Sequence, residues 1–359
     1  MALKAVHVSD VPNLDQVPEN AALALCSTRF STGVNEHEEK SGYRFDKFVV
    51  MGHRGSGMNM LQSADPRMKS TKENSILSFN EAAKYPIDFI EFDVQGVIIE
   101  KRVTELTLAE FLSYGPQKEN GKEGKRLFRK TKDGRIFEWK VEKDAPFCTL
   151  EEAFRNVDQS LGFNIELKFD DKIVYKEEEL SHALEAILKV VLENAKGRPI
   201  MFSSFHPDAA QLVRKLQSIY PVFFLTNGGC ELYADVRRNS LDEAITLCLA
   251  SGLQGIVSEV RAIFRNPGAV ARIKESKLSL ITYGQLNNVA EVVYMQHLVG
   301  VEGVIVDRVE EITESVSDLS QAKLGEEKGR PQFSKDELSF LLKLIPDYFS
   351  LDDIYIIRS

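Results

Sequence analysis

The chain has 359 residues, 43% of them hydrophobic, which is enough to bury one large core or two ordinary domains. Its formal net charge of -9 argues against a nucleic-acid-binding protein, because such proteins depend on cationic contacts to phosphate. The four cysteines lie far apart, no apolar run is long enough to span a bilayer, and the N-terminus lacks the residue order of a secretory signal. We therefore expect an intracellular protein that is neither secreted nor transmembrane and has no nucleic-acid partner.

Residues 1–44 have a mixed composition with two prolines and a charged run at 36–40, which predicts a loosely ordered N-terminal extension. Organelle transit peptides are usually rich in arginine and poor in acids, so the acids in this stretch count against a transit peptide without excluding one.

The first strand is predicted at 48–51 and ends at Gly52-His53-Arg54-Gly55. An imidazole and a guanidinium stand there beside glycines that let a ligand approach the backbone. Taken alone, the cluster is a weak signal, since a turn after a strand often carries polar side chains for solvation only.

The second strand is predicted at 88–94 and contains two acids in an otherwise apolar run. Side chains alternate faces along a strand, so Phe89, Glu91 and Asp93 share one face. Neighbouring carboxylates in apolar surroundings persist only if they are protonated, paired with cations or bound to a metal ion. A hard divalent ion fits best, and the alternative is a strand end whose acids simply reach solvent.

A charged insertion is predicted at 114–146, after a helix that Thr107 opens. Residues 118–144 contain ten Lys/Arg against six Asp/Glu, and Asp133-Gly134 is placed as the turn of a β-hairpin. The insertion is either a solvated excursion or a cationic lid for an anionic substrate. A nucleotide-binding P-loop is excluded, because the spacing from Gly115 to Lys122 is too long and Glu123 follows where Ser or Thr is required.

Beyond the insertion, short apolar strands alternate with helices. Strands are predicted at 163–168, 200–204, 222–225, 255–258, 278–282 and 303–307, and helices at 150–157, 180–195, 209–216, 241–249, 269–275 and 290–298. This alternation predicts βαβ units and a parallel sheet. With the first two strands the count is eight, which suits a closed α/β barrel, whereas no Gly-x-Gly-x-x-Gly supports an open doubly wound sheet. We assign the barrel domain to 45–318, and a linker with a C-terminal helix to 319–359.

Polar residues near the C-terminal ends of the strands have particular weight, because the loops after the strands build the active site of such barrels. These residues are His53, Arg54, Glu91, Asp93, Glu166, Lys168 and the run Ser203-Ser204-Phe205-His206. Three carboxylates on adjacent strands suit Mg²⁺ or Ca²⁺, and Arg54 with Lys168 would complement a phosphate. The pattern indicates metal-assisted phosphoryl transfer, although His206 can also cap a helix and Lys168 can simply pair with Glu166.

Several motifs together resemble the glycerophosphodiester phosphodiesterase family, and the plant-type plastid or cytosolic members are the most similar. The motifs are His53-Arg54-Gly55, Glu73-Asn74, Ile90-Glu91-Phe92-Asp93-Val94, Ile165-Glu166-Leu167-Lys168, Ser203-Ser204-Phe205 and Val306-Asp307-Arg308. The resemblance implies a TIM-type (β/α)8 barrel of the phospholipase C-like kind. It also implies hydrolysis of glycerophosphodiesters to glycerol 3-phosphate and an alcohol, in glycerophospholipid catabolism and phosphate recycling, within a plastid or the cytoplasm.

Residue roles follow from the resemblance, motif by motif. Glu91, Asp93 and Glu166 would hold the metal ion, Mg²⁺ or alternatively Ca²⁺. His53 would act as general base, Arg54 and Lys168 would bind the phosphate in catalysis, and Phe205 would contact the substrate.

One departure from the family pattern concerns the second catalytic histidine. The family has a further strand ending in His-Asp after Glu-x-Asp-Val, whereas here Gln95 runs directly into 96–98 and no histidine occurs between His53 and His182. If that strand belongs to the barrel, the barrel of this chain lacks one strand. One of the eight predicted strands is then not part of the barrel, and 255–258 is the first candidate. Because the second catalytic histidine is absent, the alternative function is an impaired homologue that binds phosphodiesters without efficient turnover, and a lyase-type phospholipase is a third alternative.

Overall fold

The computed structural model describes residues 42–94, 107–118, 124–131, 134–170 and 173–321. The predictions for the extension before residue 42, for 95–106 and for the linker and helix after residue 321 lie outside these ranges. Among the helices within them, none is both long and apolar enough to cross a membrane.

Eight parallel strands close into a barrel, which confirms the predicted fold class. The barrel strands are β1 Val49–His53, β2 Phe89–Asp93, β5 Gly162–Glu166, β6 Ile200–Ser204, β7 Val222–Thr226, β8 Gly255–Glu259, β9 Ser279–Tyr283 and β10 Gly303–Val306. They follow one another around the barrel in this order, and β10 pairs with β1.

Helices follow the strands and cover the outside of the barrel. They are α1 Ile76–Ala82, α2 Leu108–Leu112, α3 Leu150–Asn156, α4 Glu177–Asn194, α5 Pro207–Leu216, α6 Leu241–Ser251, α7 Val260–Arg265, α8 Gly268–Glu275, α9 Ala290–Val299 and α10 Val309–Gln321. Polar side chains cap several of them; Thr149, for example, forms a capping box with Glu152 at the start of α3. Helices α7 and α10 are not predicted from the sequence, and α7 begins directly after β8 with no intervening turn signal.

The two faces of the strands build two apolar layers, as the two-residue period of a strand requires. One face packs against the helices, and the other fills the barrel with side chains such as Met51, Met201 and Phe223. Tyr43 and Phe45 stack edge-to-face against this interior at the N-terminal end of the strands, 5.9 Å from Phe223 and 6.1 Å from Phe89 respectively. The aromatic plug leaves the C-terminal end of the strands as the end that holds the polar groups.

The barrel lacks no strand, so the possibility that the absent His-Asp segment removes one is wrong. Strand β2 pairs directly with β5 over five residues, from Phe89 opposite Gly162 to Asp93 opposite Glu166. Gly162 permits this contact, because a Cβ there would lie 2.3 Å from the Phe89 ring. Residues 255–258, which were the candidate for exclusion from the barrel, form most of β8. This strand pairs with β7 on one side and with β9 on the other.

The charged insertion contains the predicted hairpin, formed by β3 (Phe128–Lys130) and antiparallel β4 (Ile136–Glu138). Gly134 in its turn has a φ of +88°, a conformation that favours glycine, while Asp133 lies outside the described residues. The insertion is not simply a solvated excursion. Its C-terminal limb is hydrogen-bonded to the segment before α1, since the Lys143 carbonyl accepts the amide of Lys72 at 3.1 Å.

Candidate active site

Strands β1, β2 and β5 are neighbours, and their C-terminal ends bring the predicted site residues together. His53 lies opposite Glu91, and Asp93 lies opposite Glu166. Carboxylate oxygens of Glu91, Asp93 and Glu166 lie within 4.8 Å of one another. The three predicted metal ligands therefore form one cluster.

The cluster fits a divalent cation. Oε1 of Glu91 and Oδ1 of Asp93 are buried and accept no hydrogen bond from the described residues, although Nζ of Lys168 lies 3.1 Å from the latter oxygen. Burial raises the pKa of Glu91 to about 8, and repulsion from Asp93 and Glu166 adds to that effect. Buried carboxylate oxygens without partners are costly, and a hard cation with oxygen ligands would satisfy them.

Two cations contact the carboxylates from the sides. Lys168 forms ion pairs with both Glu166 and Asp93. Arg54 places its Nε 3.0 Å from Oδ2 of Asp93, and Asn74 donates to the same oxygen at 3.0 Å. Burial alone would raise the pKa of Asp93, but Arg54 and Lys168 hold it well below its usual range. These shifts favour the anion at Asp93 and the protonated carboxyl at Glu91.

Arg54 has a strained backbone with a φ of +51°. Its amide donates to Oε2 of Glu91 at 3.0 Å, and its carbonyl accepts from the Asn74 amide at 3.1 Å. Gly55 beside it has no room for a side chain, since a Cβ would lie 2.5 Å from Oγ of Ser78. The turn after β1 therefore fixes the direction of the Arg54 side chain, whose Nη1 donates to Oε1 of Glu73 at 2.6 Å.

His53 is held between two acids. Its Nδ1 lies 2.7 Å from Oδ1 of Asp307, and its Nε2 lies 3.8 Å from Oε2 of Glu91. Burial opposes protonation of the imidazole, but Asp307 and Glu91 outweigh it and raise the pKa of His53 to about 9. Asp307 also accepts hydrogen bonds from the Met58 amide and from Asn288, so its position is fixed.

The role of Asp307 in holding His53 is not predicted by the sequence analysis, which used Asp307 only as part of a family motif. Its place directly after the last strand was the available signal, because polar residues at that end of a barrel face the site. The partner of Asp307, Asn288, follows β9 in a short 3₁₀ turn and carries no comparable signal.

Of the four residues 203–206 at the end of β6, one lies beside the site and three make structural contacts. Phe205 lies beside the site, with its ring 5.8 Å from Nζ of Lys168. Ser203 and Ser204 donate to Asn164 and to the Leu167 carbonyl, which are contacts within the barrel wall. His206 caps α5 through its Nδ1, which accepts from the Ala209 amide at 3.2 Å.

A family model described as the glycerophosphoryl diester phosphodiesterase family matches residues 53–96 and 97–311 of this chain. The two matched segments meet between Gly96 and Val97, the point at which the sequence departs from the His-Asp pattern.

Curated relatives match over nearly the whole chain. The chain is 58% identical over 371 aligned residues to "Glycerophosphodiester phosphodiesterase GDPD1, chloroplastic" of Arabidopsis thaliana, an alignment that covers 97% of this chain and 99% of that protein. It is also 58% identical to "Glycerophosphodiester phosphodiesterase GDPD3" of the same plant, covering 91% of this chain and 98% of the relative.

Solved structures share the fold. A glycerophosphodiester phosphodiesterase from Parabacteroides distasonis has a TM-score of 0.52 at 18% identity, covering 76% of this chain and 98% of that chain. A phosphodiesterase from Oleispira antarctica, solved with sn-glycerol-3-phosphate, has a TM-score of 0.50 at 16% identity, covering 75% and 96%.

Proposed function

Because the chain belongs to the glycerophosphoryl diester phosphodiesterase family, we propose that it hydrolyses glycerophosphodiesters to glycerol 3-phosphate and an alcohol with the aid of a divalent metal ion. One observation carries the proposal. The carboxylate oxygens of Glu91, Asp93 and Glu166 lie within 4.8 Å of one another, beside the cations Arg54 and Lys168. Groups that would bind a divalent cation therefore lie next to groups that would bind the substrate phosphate.

Glu91, Asp93 and Glu166 would hold the ion, for which Mg²⁺ is the first choice and Ca²⁺ the alternative, because all three donors are hard oxygens. When bound, the ion would supply charge stabilisation to the phosphate oxygens. Oε1 of Glu91, which is buried and accepts no hydrogen bond in the described part of the chain, supports this assignment, as does Oδ1 of Asp93, which faces only the ammonium of Lys168.

Arg54 and Lys168 would bind the phosphate. Nε and Nη1 of Arg54 face Asp93 and Glu73, whereas its Nη2 makes no hydrogen bond to the described residues. This edge of the guanidinium would bind a phosphate oxygen. Phe205, whose ring adjoins Lys168, would contact the substrate beside it.

His53 would act as the general base through Nε2, because Nδ1 is engaged by Asp307. With a pKa of about 9, the imidazole holds a proton at neutral pH while the acids beside it are uncompensated. A cation bound among those acids would displace the Glu91 proton, and its own charge would bring the pKa of His53 down toward the range in which a base works.

The second candidate is a homologue that binds phosphodiesters without efficient turnover. The sequence observation that favours it is the lack of any histidine between His53 and His182. His206 is a poor substitute for the missing group, because its Nδ1 caps α5 and its ring packs against Phe169 and Tyr175.

The cellular role follows the same reasoning. We propose that the protein acts in a chloroplast, as the name of the relative "GDPD1, chloroplastic" states for that protein, with the cytoplasm as the alternative. Release of glycerol 3-phosphate would contribute to glycerophospholipid catabolism and phosphate recycling.

The deciding experiment is turnover of glycerophosphocholine by the purified full chain with Mg²⁺, with Ca²⁺ and with a chelator, followed by phosphorus NMR. Glycerol 3-phosphate formed only with a metal ion supports the enzyme. A cyclic phosphate would indicate a lyase, and binding without product would indicate the impaired homologue.

A further inference from the structure

We infer that Arg129, on the hairpin of the charged insertion, is a positioning residue for Arg54 and acts through the carboxylate of Glu73. The inference rests on the proposed phosphate-binding role of Arg54. It gives the hairpin a part in substrate binding that requires no contact between the hairpin and the substrate.

Glu73 joins the two arginines. Its Oε1 accepts Nη1 of Arg54 at 2.6 Å and Nη2 of Arg129 at 2.7 Å. Its Oε2 accepts the Asn59 amide and lies 3.3 Å from Nη1 of Arg129. Glu73 is only 1% exposed, so water does not screen these contacts. Burial would raise the pKa of Glu73, but Arg54 and Arg129 together lower it.

Arg54 depends on this carboxylate for its orientation. A guanidinium that binds phosphate is effective only when its plane and its free edge point at the ligand. Glu73 accepts a hydrogen bond from Nη1 and Asp93 lies 3.0 Å from Nε, so these two carboxylates fix the plane of the Arg54 guanidinium. If Glu73 loses Arg129, each oxygen of its buried carboxylate loses one of its two donors, and the carboxylate no longer fixes Arg54 in a single place.

Arg129 is itself held firmly. Its guanidinium lies over the ring of Trp139 at 4.2 Å, and its Nη1 donates to the Asn59 carbonyl at 2.8 Å. Trp139 in turn donates from Nε1 to Oδ1 of Asn59 at 2.9 Å. By contrast, Arg126 of the same insertion has a side chain that is 71% exposed and pairs with Glu138 at 3.5 Å.

The first test compares Arg129→Met with Arg126→Met, the same chemical change at a solvated position of the insertion. Binding of glycerol 3-phosphate to the full chain with Mg²⁺ is measured by calorimetry. Arg129→Met should weaken binding by about 10- to 100-fold, the loss typical when a group supporting a ligand-binding residue is removed. Arg126→Met should bind normally. Arg129→Lys should bind glycerol 3-phosphate more tightly than Arg129→Met but less tightly than the wild type. The lysine keeps the positive charge but lacks the two-pronged guanidinium that contacts both Glu73 oxygens.

The route through Glu73 is tested by a double-mutant cycle. If Arg129 acts through Glu73, Arg129→Met causes little further loss in a Glu73→Gln background. Losses that simply add would overturn the inference, as would wild-type binding by Arg129→Met. Limited proteolysis of the insertion reports whether the hairpin is still folded, because emission from Trp139 would change with the loss of its Arg129 contact alone. If Arg129→Met unfolds the hairpin, Arg129→Lys decides.

Arg54→Lys separates this inference from the proposed function. If Arg54→Lys binds glycerol 3-phosphate like the wild type, the phosphate-binding role of Arg54 itself fails. If Arg54→Lys weakens binding and Arg129→Met does not, only the positioning role of Arg129 fails.

Discussion

Nδ1 of His53 lies 2.7 Å from Oδ1 of Asp307, a contact that joins the end of the first barrel strand to the residue after the last. The two strands are paired in the closed barrel, so the contact exists because the sheet closes. Asp307 fixes the imidazole so that Nε2 faces Glu91. The pKa of Asp307 is lowered to about 2, so its carboxylate is charged and favours the imidazolium.

Asp307→Asn should therefore damage catalysis more than folding. An amide can present its NH₂ group to Nδ1 and so favour the wrong tautomer, and it also removes the charge that raises the pKa of His53. We expect kcat to fall by about 10²- to 10⁴-fold, the usual contribution of a general acid or base, and the pKa of His53 to drop below about 9. NMR titration of the imidazole and a pH-rate profile measure both. Asp65→Asn, in an exposed ion pair with Arg67, is the control, and an unchanged His53 titration would refute the coupling.

Removal of one carboxylate should abolish metal binding without loss of the fold. In Glu91→Gln and Asp93→Asn, calorimetry should detect no ion at concentrations that saturate the wild type, and turnover should stop. The ion-free Glu91→Gln variant should melt at the same temperature as the wild type or higher, because it lacks one of three crowded acids. Asp242→Asn, on the surface of α6, serves as the matched control. Wild-type metal affinity in either site variant would contradict the assignment.

The predictable part of the site is the part that depends on local pattern. Glu91 and Asp93 share a strand face because side chains alternate faces along a strand, and the segment 88–94 alone is enough to predict this. The Glu73 to Arg129 contact spans 56 residues and depends on how the insertion folds back, so no local pattern indicates it. The direct pairing of β2 with β5 likewise depends on Gly162 admitting the Phe89 ring, a packing fact that strand propensity does not contain.

The stability of the ion-free protein should fall as the pH rises from about 5 to about 9. Glu91 and His53 both have pKa values raised in the folded state, to about 8 and about 9, so the folded chain holds protons that the unfolded chain releases in this window. Mg²⁺ must displace the Glu91 proton, so its affinity should increase by up to about tenfold per pH unit until about pH 8 and then level off. Thermal melts with and without Mg²⁺ at several pH values test this. A stabilisation by Mg²⁺ that is the same at pH 6 and pH 8 would contradict it.

Arg54→Lys should lose phosphate binding while the protein stays folded. A lysine cannot satisfy Glu73 and Asp93 and still present a second donor edge to a phosphate oxygen. We expect at least about a tenfold rise in KM for glycerophosphocholine, and a matching loss of affinity for glycerol 3-phosphate. Lys84→Arg, in an exposed ion pair with Glu81 just after α1, controls for general effects of such exchanges. Equal affinity of Arg54→Lys and wild type for glycerol 3-phosphate would remove Arg54 from the phosphate site.

The departure from the family pattern after Gln95 leads to the last prediction, which is that this chain turns over more slowly than a version with a family-type His-Asp segment inserted there. The barrel does not need the segment, since β2 and β5 already pair over five residues, so the insert should leave the thermal melt nearly unchanged. General acid assistance to a leaving alkoxide is worth about 10²- to 10⁴-fold, and we expect kcat to rise by that order. KM should change little, because Arg54 and Lys168 remain in place. An insert carrying Ala for the histidine separates chemistry from the added length and should give no gain.

If the chain without the insert is already as active as the version with it, another group supplies the proton. Turnover by His206→Ala would show whether His206 is that group. The melting of α5, which His206 caps, is measured on the same variant.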